Sequence, residues 1–274
     1  MASSSAKLPT MLQAPAGRAD KGGSPPAPAG RNAKAQPGAA AAAATRGMED
    51  FFLGANHSRQ HILQSTDLRN HFDALAVAQK PKYYVIACSD SRVSPPEIFR
   101  MRPGSMFEMQ QLGALMPPLP QAPFTPQGPV DSEWANVSYA VKELKVEHLI
   151  VLGHTGCGAV AGVITPEAIA HNVEVAAHLH KHQELAPRVN ARFGHLEGAD
   201  KWAGAVGESV VMTYEKVKAF APVQAAVQAG KLEVHAMVYE IGNHGAISVW
   251  DEATDEFVAV NADQSILPKR HTKP

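Results

Sequence analysis

Two cysteines make up the whole thiol complement of this 274-residue chain, Cys88 and Cys157, and each follows a short apolar run. Cys88 opens the string Cys88-Ser89-Asp90-Ser91-Arg92, and Cys157 closes His154-Thr155-Gly156-Cys157. Two thiolates and one imidazole are donors that zinc takes tetrahedrally, and three protein ligands leave the fourth position to water, as in a catalytic site. The gap in His154-x-x-Cys157 lets both side chains converge from one tight turn, with Gly156 and Gly158 relieving backbone crowding. Zinc so held would bring the pKa of its water to about 7 and furnish a hydroxide nucleophile at neutral pH.

Asp90 has two possible places. It can close the metal as a fourth ligand, or stand beside the water; Arg92 favours the second, because a guanidinium can hold the carboxylate in a bidentate pair. Other readings of the same residues stay open. The centre could be a structural zinc site closed by Asp90, and the two cysteines could be a disulfide, a redox pair or plain buried residues, although thiol oxidoreductases usually use a C-x-x-C unit.

The elements that must position these groups alternate as in an α/β domain. Tyr83 to Ala87 is a continuous apolar run after Pro81, as a buried parallel strand requires, and His148 to Leu152 is a second. Val234 to Ile241 is a third, reaching the turn Gly242-Asn243-His244-Gly245 before an antiparallel return over Ala246 to Trp250; Met106 to Met109 is a further candidate. Both cysteines thus fall at carboxyl ends of strands, where open α/β sheets form their ligand crevices. Ser132 can cap a helix carrying Trp134, Val137, Val141 and Leu144, a second helix is expected over Gly204 to Phe220, and a short one between Pro222 and Gly230. Six prolines between residues 116 and 129 exclude regular structure there, so this loop is expected to wrap the surface or a neighbouring subunit.

Composition narrows the partners. A formal net charge of -1, from 25 Lys+Arg against 26 Asp+Glu, gives no pull toward nucleic acid or anionic membrane. No apolar run approaches the roughly 20 residues of a membrane span. Residues 1–47, rich in Ala, Pro, Gly and Ser, are expected to be a disordered extension, and 48–274 a single catalytic domain. The basic excess of the extension is shared by organellar transit peptides, but it lacks an amphipathic pattern, so a cytoplasmic protein is expected, with an organelle as the alternative.

Cys88-Ser89-Asp90-Ser91-Arg92-Val93, Gly153-His154-Thr155-Gly156-Cys157-Gly158 and Val146-Glu147-His148 closely resemble the beta-class carbonic anhydrases, and the resemblance runs from about Gln60 to Val258. It implies an α/β zinc enzyme, with one Zn2+ per chain, that hydrates carbon dioxide reversibly to bicarbonate and a proton. Such enzymes are homodimers that often pair into larger homo-oligomers. By matched position, Cys88, His154 and Cys157 are the implied zinc ligands and Asp90 with Arg92 the implied catalytic dyad. Gln79 matches a glutamine that donates a hydrogen bond to substrate. Phe107, Leu112 and Tyr139, with Gly158, match the lining of the substrate pocket.

One stretch departs from the family. Gln110-Gln111-Leu112-Gly113-Ala114 stands where an Arg-Asn pair and a second Asn are usual, and a sister activity on carbonyl sulfide or carbon disulfide is the alternative. Members locked by bicarbonate resemble one another in a tryptophan three residues before the first cysteine and in the arginine of that pair. Val85 and Gln110 occupy those positions here, and Ala87 matches members that stay open, so an open resting site is expected.

His171, His178, His180 and His182 form a cluster in which His178 and His182 have the spacing of two ligands on one helix face. A solvated face is the simpler reading. His61, His71, His195, His235 and His244 lack motif context and are expected at the surface or hydrogen-bonded in the core.

Overall fold

A computed structural model describes residues 37–120, 124–125 and 127–260, with side chains from Met48 onward. Contacts divide the chain into two units at Gln79/Lys80. In the first, α1 (Pro37–Gln64) and α2 (Thr66–Val77) meet at Ser65, whose side chain caps α2 by accepting from the Leu68 amide at 3.2 Å. Residues 1–36 of the expected disordered extension lie outside the described residues. The boundary expected near Met48 falls within α1, whose opening turns contain the alanine run Ala39–Ala44, the residue of highest helix propensity.

The second unit alternates strands and helices: β1 (Tyr83–Cys88), α3 (Pro95–Ile98), β2 (Met106–Gln111), α4 (Ser132–Tyr139), β3 (His148–His154) and α5 (Gly158–Ile164). Then follow α6 (Val173–His180), α7 (Leu185–Phe193), α8 (Gly198–Ala219), α9 (Ala221–Gln228), β4 (Glu233–Glu240), β5 (Ala246–Asp251) and β6 (Glu256–Ala259). The six strands form one sheet, ordered β2-β1-β3-β4-β5-β6. The first four are mutually parallel, and β5 and β6 return antiparallel. This is the expected α/β architecture, a mostly parallel sheet flanked by helices.

The apolar runs of β1 and β3 are continuous because both faces of the sheet centre are covered. Tyr84, Ile86, Leu149 and Val151 face a large core with Val206, Val210 and Val217 of α8. Val85, Ala87, Ile150 and Leu152 form a smaller cluster on the other face with Val93. Burying each such side chain contributes roughly 1.5–3 kcal/mol. At Gly153 helix and strand touch: a Cβ there would lie 2.3 Å from Val210 Cγ2.

Two expectations shift. The α4 cap is Asp131 rather than Ser132, while the helix runs on through Val141 and Leu144 as expected, its last residues Ala140–Leu144 as a π-turn that ends at Lys145 in the left-handed conformation. The proline-rich segment starts inside the core before Pro118, Phe124 and Thr125 reach the surface as expected: Leu115 and Met116 are fully buried, Lys216 Nζ donates to the Met116 carbonyl at 2.7 Å, and Trp134 Nε1 to that of Pro118 at 3.1 Å. Residues without strand or helix partners for their carbonyls need such side-chain donors when buried. Residues 121–123 and 126 of this segment lie outside the described residues.

Candidate metal centre

Parallel pairing of β1 with β3, Ala87 opposite Leu152, sets Cys88 and His154 at the same edge of the sheet. The turn after β3 is pinned from β4: the Thr155 amide donates to the Tyr239 carbonyl, and the Ile241 amide to Thr155 Oγ1, both at 3.0 Å. Gly156 then takes φ +71, a left-handed conformation that a side chain would strain, and this returns the chain so that Cys157 caps α5 beside Cys88. Trp202 Nε1 fixes the Cys157 carbonyl at 3.1 Å.

Cys88 Sγ and Cys157 Sγ lie 4.0 Å apart, both buried and unbridged. With the His154 nitrogen, all three ligand atoms fall within 4.8 Å of one another. Two sulfurs on one tetrahedral zinc stand about 3.8 Å apart, given Zn–S bonds of about 2.3 Å. His154 Nδ1 is 3.1 Å from the Thr155 carbonyl oxygen and donates to it, which leaves the Nε2 lone pair facing the sulfurs. That Nε2 is buried without a hydrogen-bond partner, as a metal-ligating nitrogen is.

The electrostatics agree. The Cys88 thiol is drawn well below its ordinary value, chiefly by the hydrogen bond with Cys157, helped by His154 and by the amides of Gly113 and Asp90, against burial. The Gly113 amide lies 3.3 Å from Cys88 Sγ, in a turn where Gly113 takes φ +74. Cys157 is pushed upward by the same contact with Cys88 and by burial. One thiolate forms readily and the second is opposed, so a cation is what allows both to ionise. The donor set and its geometry fit a zinc ion.

Asp90 is held beside the ligand cluster by Arg92, whose Nε lies 2.8 Å from Oδ1 and Nη2 2.7 Å from Oδ2. This contact holds the Asp90 carboxyl well below the usual carboxylate range. Arg92 Nη2 also donates to the Gly156 carbonyl at 3.3 Å, tying the β1 loop to the His154–Cys157 turn. Asp90 Oδ2 stays 3.9 Å from His154 Nε2.

Of the residues expected to line a substrate pocket, Phe107 and Tyr139 meet ring to ring at 5.7 Å, and Phe107 meets Tyr84 at 5.6 Å. Leu112 is 38% exposed and opens the turn whose Gly113 amide reaches Cys88. Gly158 is exposed at the start of α5. Gln79 is exposed and ends the helical unit, whereas the other site residues belong to the second unit.

The unusual glutamines have a structural part that motif reading missed. Gln110 Nε2 donates to the Cys88 and Val93 carbonyls, at 3.2 and 2.9 Å, and Gln111 Nε2 to the Leu115 carbonyl. They brace the backbone on both sides of the ligand loop. No spacing in the sequence signals this, because the acceptors are main-chain atoms. The solvated histidine face holds for the exposed His171 and His180 and fails for His182. His182 is 1% exposed and the His178 ring packs 5.5 Å from it, because α6 ends at His180 and the following turn carries His182 into the interior.

A parallel sheet with two thiols, a buried imidazole and an arginine-held carboxylate at its carboxyl edge defines an α/β protein with a candidate Cys2His metal centre and a carboxylate beside it. Residues 83–247 match the sequence model of the family described as carbonic anhydrase. A carbonic anhydrase of Pseudomonas aeruginosa is 33% identical over 189 residues, covering 69% of this chain and 82% of that protein. One of Synechocystis is 29% identical over 192 residues, covering 70% and 67%. Among solved structures, the beta-carbonic anhydrase CcaA is similar with a TM-score of 0.69 at 26% identity, covering 77% of this chain and 98% of that one. The chain belongs to the beta-class carbonic anhydrase family and is an enzyme of that family.

Proposed function

We propose that this enzyme hydrates carbon dioxide reversibly to bicarbonate and a proton, with one zinc ion held tightly by Cys88, His154 and Cys157. The observation that carries the reading is the buried, unpartnered Nε2 of His154 beside two sulfurs 4.0 Å apart, with the nearest carboxylate engaged by arginine. Zinc bound there supplies the Lewis acidity that ionises a water near neutral pH.

The chain's own residues supply orientation. Asp90, kept ionised by Arg92, accepts a hydrogen bond at Oδ2 from the attacking water and aims it, and its depressed basicity keeps it from retaining the proton. Arg92 would hold that carboxylate off a bound metal, which separates this reading from a non-catalytic zinc site closed by Asp90. Phe107, Leu112 and Tyr139 offer apolar surface suited to a substrate with no net dipole, with Gly158 at the start of α5; the role of hydrogen-bond donor for Gln79 rests on the family resemblance alone. The catalytic domain is assigned to 48–274, with all three ligands beyond Lys80.

Tyr139, 45% exposed, and Leu112, 38% exposed, are apolar groups that a second subunit would cover, which supports a homodimer or a larger homo-oligomer. A monomeric mass with full activity would refute that assembly. Cytoplasmic residence is supported by two unbridged thiols. Among the described residues no helix is long and apolar enough to cross a membrane.

The test joins metal analysis with a stopped-flow hydration assay. The protein is expected to retain about one zinc per chain in zinc-free buffer and to hydrate carbon dioxide, and Cys157→Ala to lose both. Tightly bound zinc without hydration would refute the catalytic reading, and carbonyl sulfide or carbon disulfide as the better substrate would redirect it.

A further inference from the structure

At the opposite ends of β3 and β4 a second group of ligand atoms converges. His148 is the first residue of β3 and Glu233 the first of β4, and the parallel register places them side by side, with His235 beside Ile150. Alternate residues of a strand share a face, so His148, Glu233 and His235 project from the same side of the sheet. His148 Nδ1 lies 3.2 Å from His235 Nε2, 3.6 Å from Glu233 Oε2, and that oxygen lies 3.8 Å from His235 Nε2.

Two imidazole lone pairs at 3.2 Å repel, so a proton or a cation belongs between them. A shared proton explains that single approach. It leaves the carboxylate aimed at both nitrogens from beyond hydrogen-bond range. A circle through the three atoms has a radius of about 2 Å, the length of a Zn–N or Zn–O bond. One ion therefore accounts for all three approaches.

We propose that His148, His235 and Glu233 form a second metal site, which takes a divalent transition metal and clips β3 to β4 where both strands begin. Two imidazoles and one carboxylate select zinc, cobalt, nickel or copper over magnesium or calcium. The ligands are preorganised, since they stand on paired strands and the Tyr83 ring stacks on His148 at 5.4 Å. Histidine exposure of 24% and 20%, with Glu233 at 53%, leaves a path for the ion and room for water as a further ligand. Six residue steps along extended β3 take His148 to His154, about 20 Å, so the two centres share no ligand. The second ion is held less tightly than that of the thiolate centre, because it has no thiolate ligand and lies near solvent.

The test is equilibrium dialysis of the full-length protein against micromolar Zn2+, counting metal per chain. The parent is expected to hold about two zinc ions, and His235→Gln and Glu233→Gln about one. Cys157→Ala is expected to lose the thiolate-bound ion and keep the second, which separates failure of this site from failure of the hydration centre. Cobalt added to parent that carries zinc at the thiolate centre alone should give the weak bands of nitrogen and oxygen ligation, without sulfur charge transfer. His235→Gln should hydrate carbon dioxide within about twofold of the parent. A parent that saturates at one zinc overturns the proposal and leaves a histidine pair sharing a proton. A second equivalent that survives in both His235→Gln and Glu233→Gln overturns it as well, and this comparison stands even if Cys157→Ala does not fold.

Discussion

Arg92 grips Asp90 by both carboxylate oxygens, at 2.8 and 2.7 Å, and its backbone amide adds a third hydrogen bond at 3.0 Å. The pair is local, two residues apart, yet Arg92 also reaches the Gly156 carbonyl across 64 residues. It therefore acts on the carboxylate and on the ligand turn together.

Arg92→Ala is expected to fold and keep the tightly held zinc while losing about tenfold or more in kcat/KM, because Asp90 is freed to approach the metal. Arg92→Lys should fall between, since it restores the charge without the two parallel donors. Hydration within about twofold of the parent at neutral pH would remove Arg92 from the site's machinery.

Gly153→Ala tests how closely α8 sits on the ligand strand. The added methyl would meet Val210 Cγ2 at 2.3 Å, and a β-branched side chain packed in the core has little room to turn away. A loss of about 1–3 kcal/mol is expected, read as a lower urea midpoint at constant slope. An unchanged midpoint would mean that the helix yields without cost.

Bicarbonate should inhibit without cooperativity, and rate against carbon dioxide should be hyperbolic. Val85 is fully buried in the smaller sheet cluster and has no donor, while the Gln110 amide is engaged by the Cys88 and Val93 carbonyls. Neither can hold an anion. Activity should fall gradually below neutral pH as the nucleophile is protonated. Steep, cooperative loss of rate with added bicarbonate would contradict this.

Acid should weaken the fold through His182. Burial, with the nearby Lys216 and His178 charges, pulls its imidazole down to about 4, while Glu184 opposes. Between an unfolded value near 6.5 and about 4, the unfolded chain binds the extra proton, so stability falls as pH drops through that window and levels off below it. The expected loss is roughly 2–3 kcal/mol. His182→Leu should flatten the dependence of the urea midpoint on pH between 7 and 4, and identical slopes in parent and variant would exclude His182 as the cause.

Residue type and short spacing, together with the family resemblance, pointed to the candidate ligand set before any contact was known. A thiol, an imidazole or a guanidinium carries its chemistry wherever it stands, and the His154–Cys157 and Asp90–Arg92 pairs are close enough in sequence to meet through one turn. Strands β1, β3, β4 and β5 were legible within a residue or two, since a strand covered on both faces must be a continuous apolar run. The short β6 and the helices between Gly158 and Phe193 carry weaker periods, and the burial of His182 depends on a turn that a helical wheel does not contain. Only the tertiary structure decided that Cys88 stands 4.0 Å from Cys157, 69 residues away, because the parallel pairing of β1 with β3 sets that distance. The same holds for Gln110 on its two carbonyls and for His148 against His235, 87 residues apart. Contacts between distant residues follow from strand register, which is a property of the packed sheet rather than of any one segment.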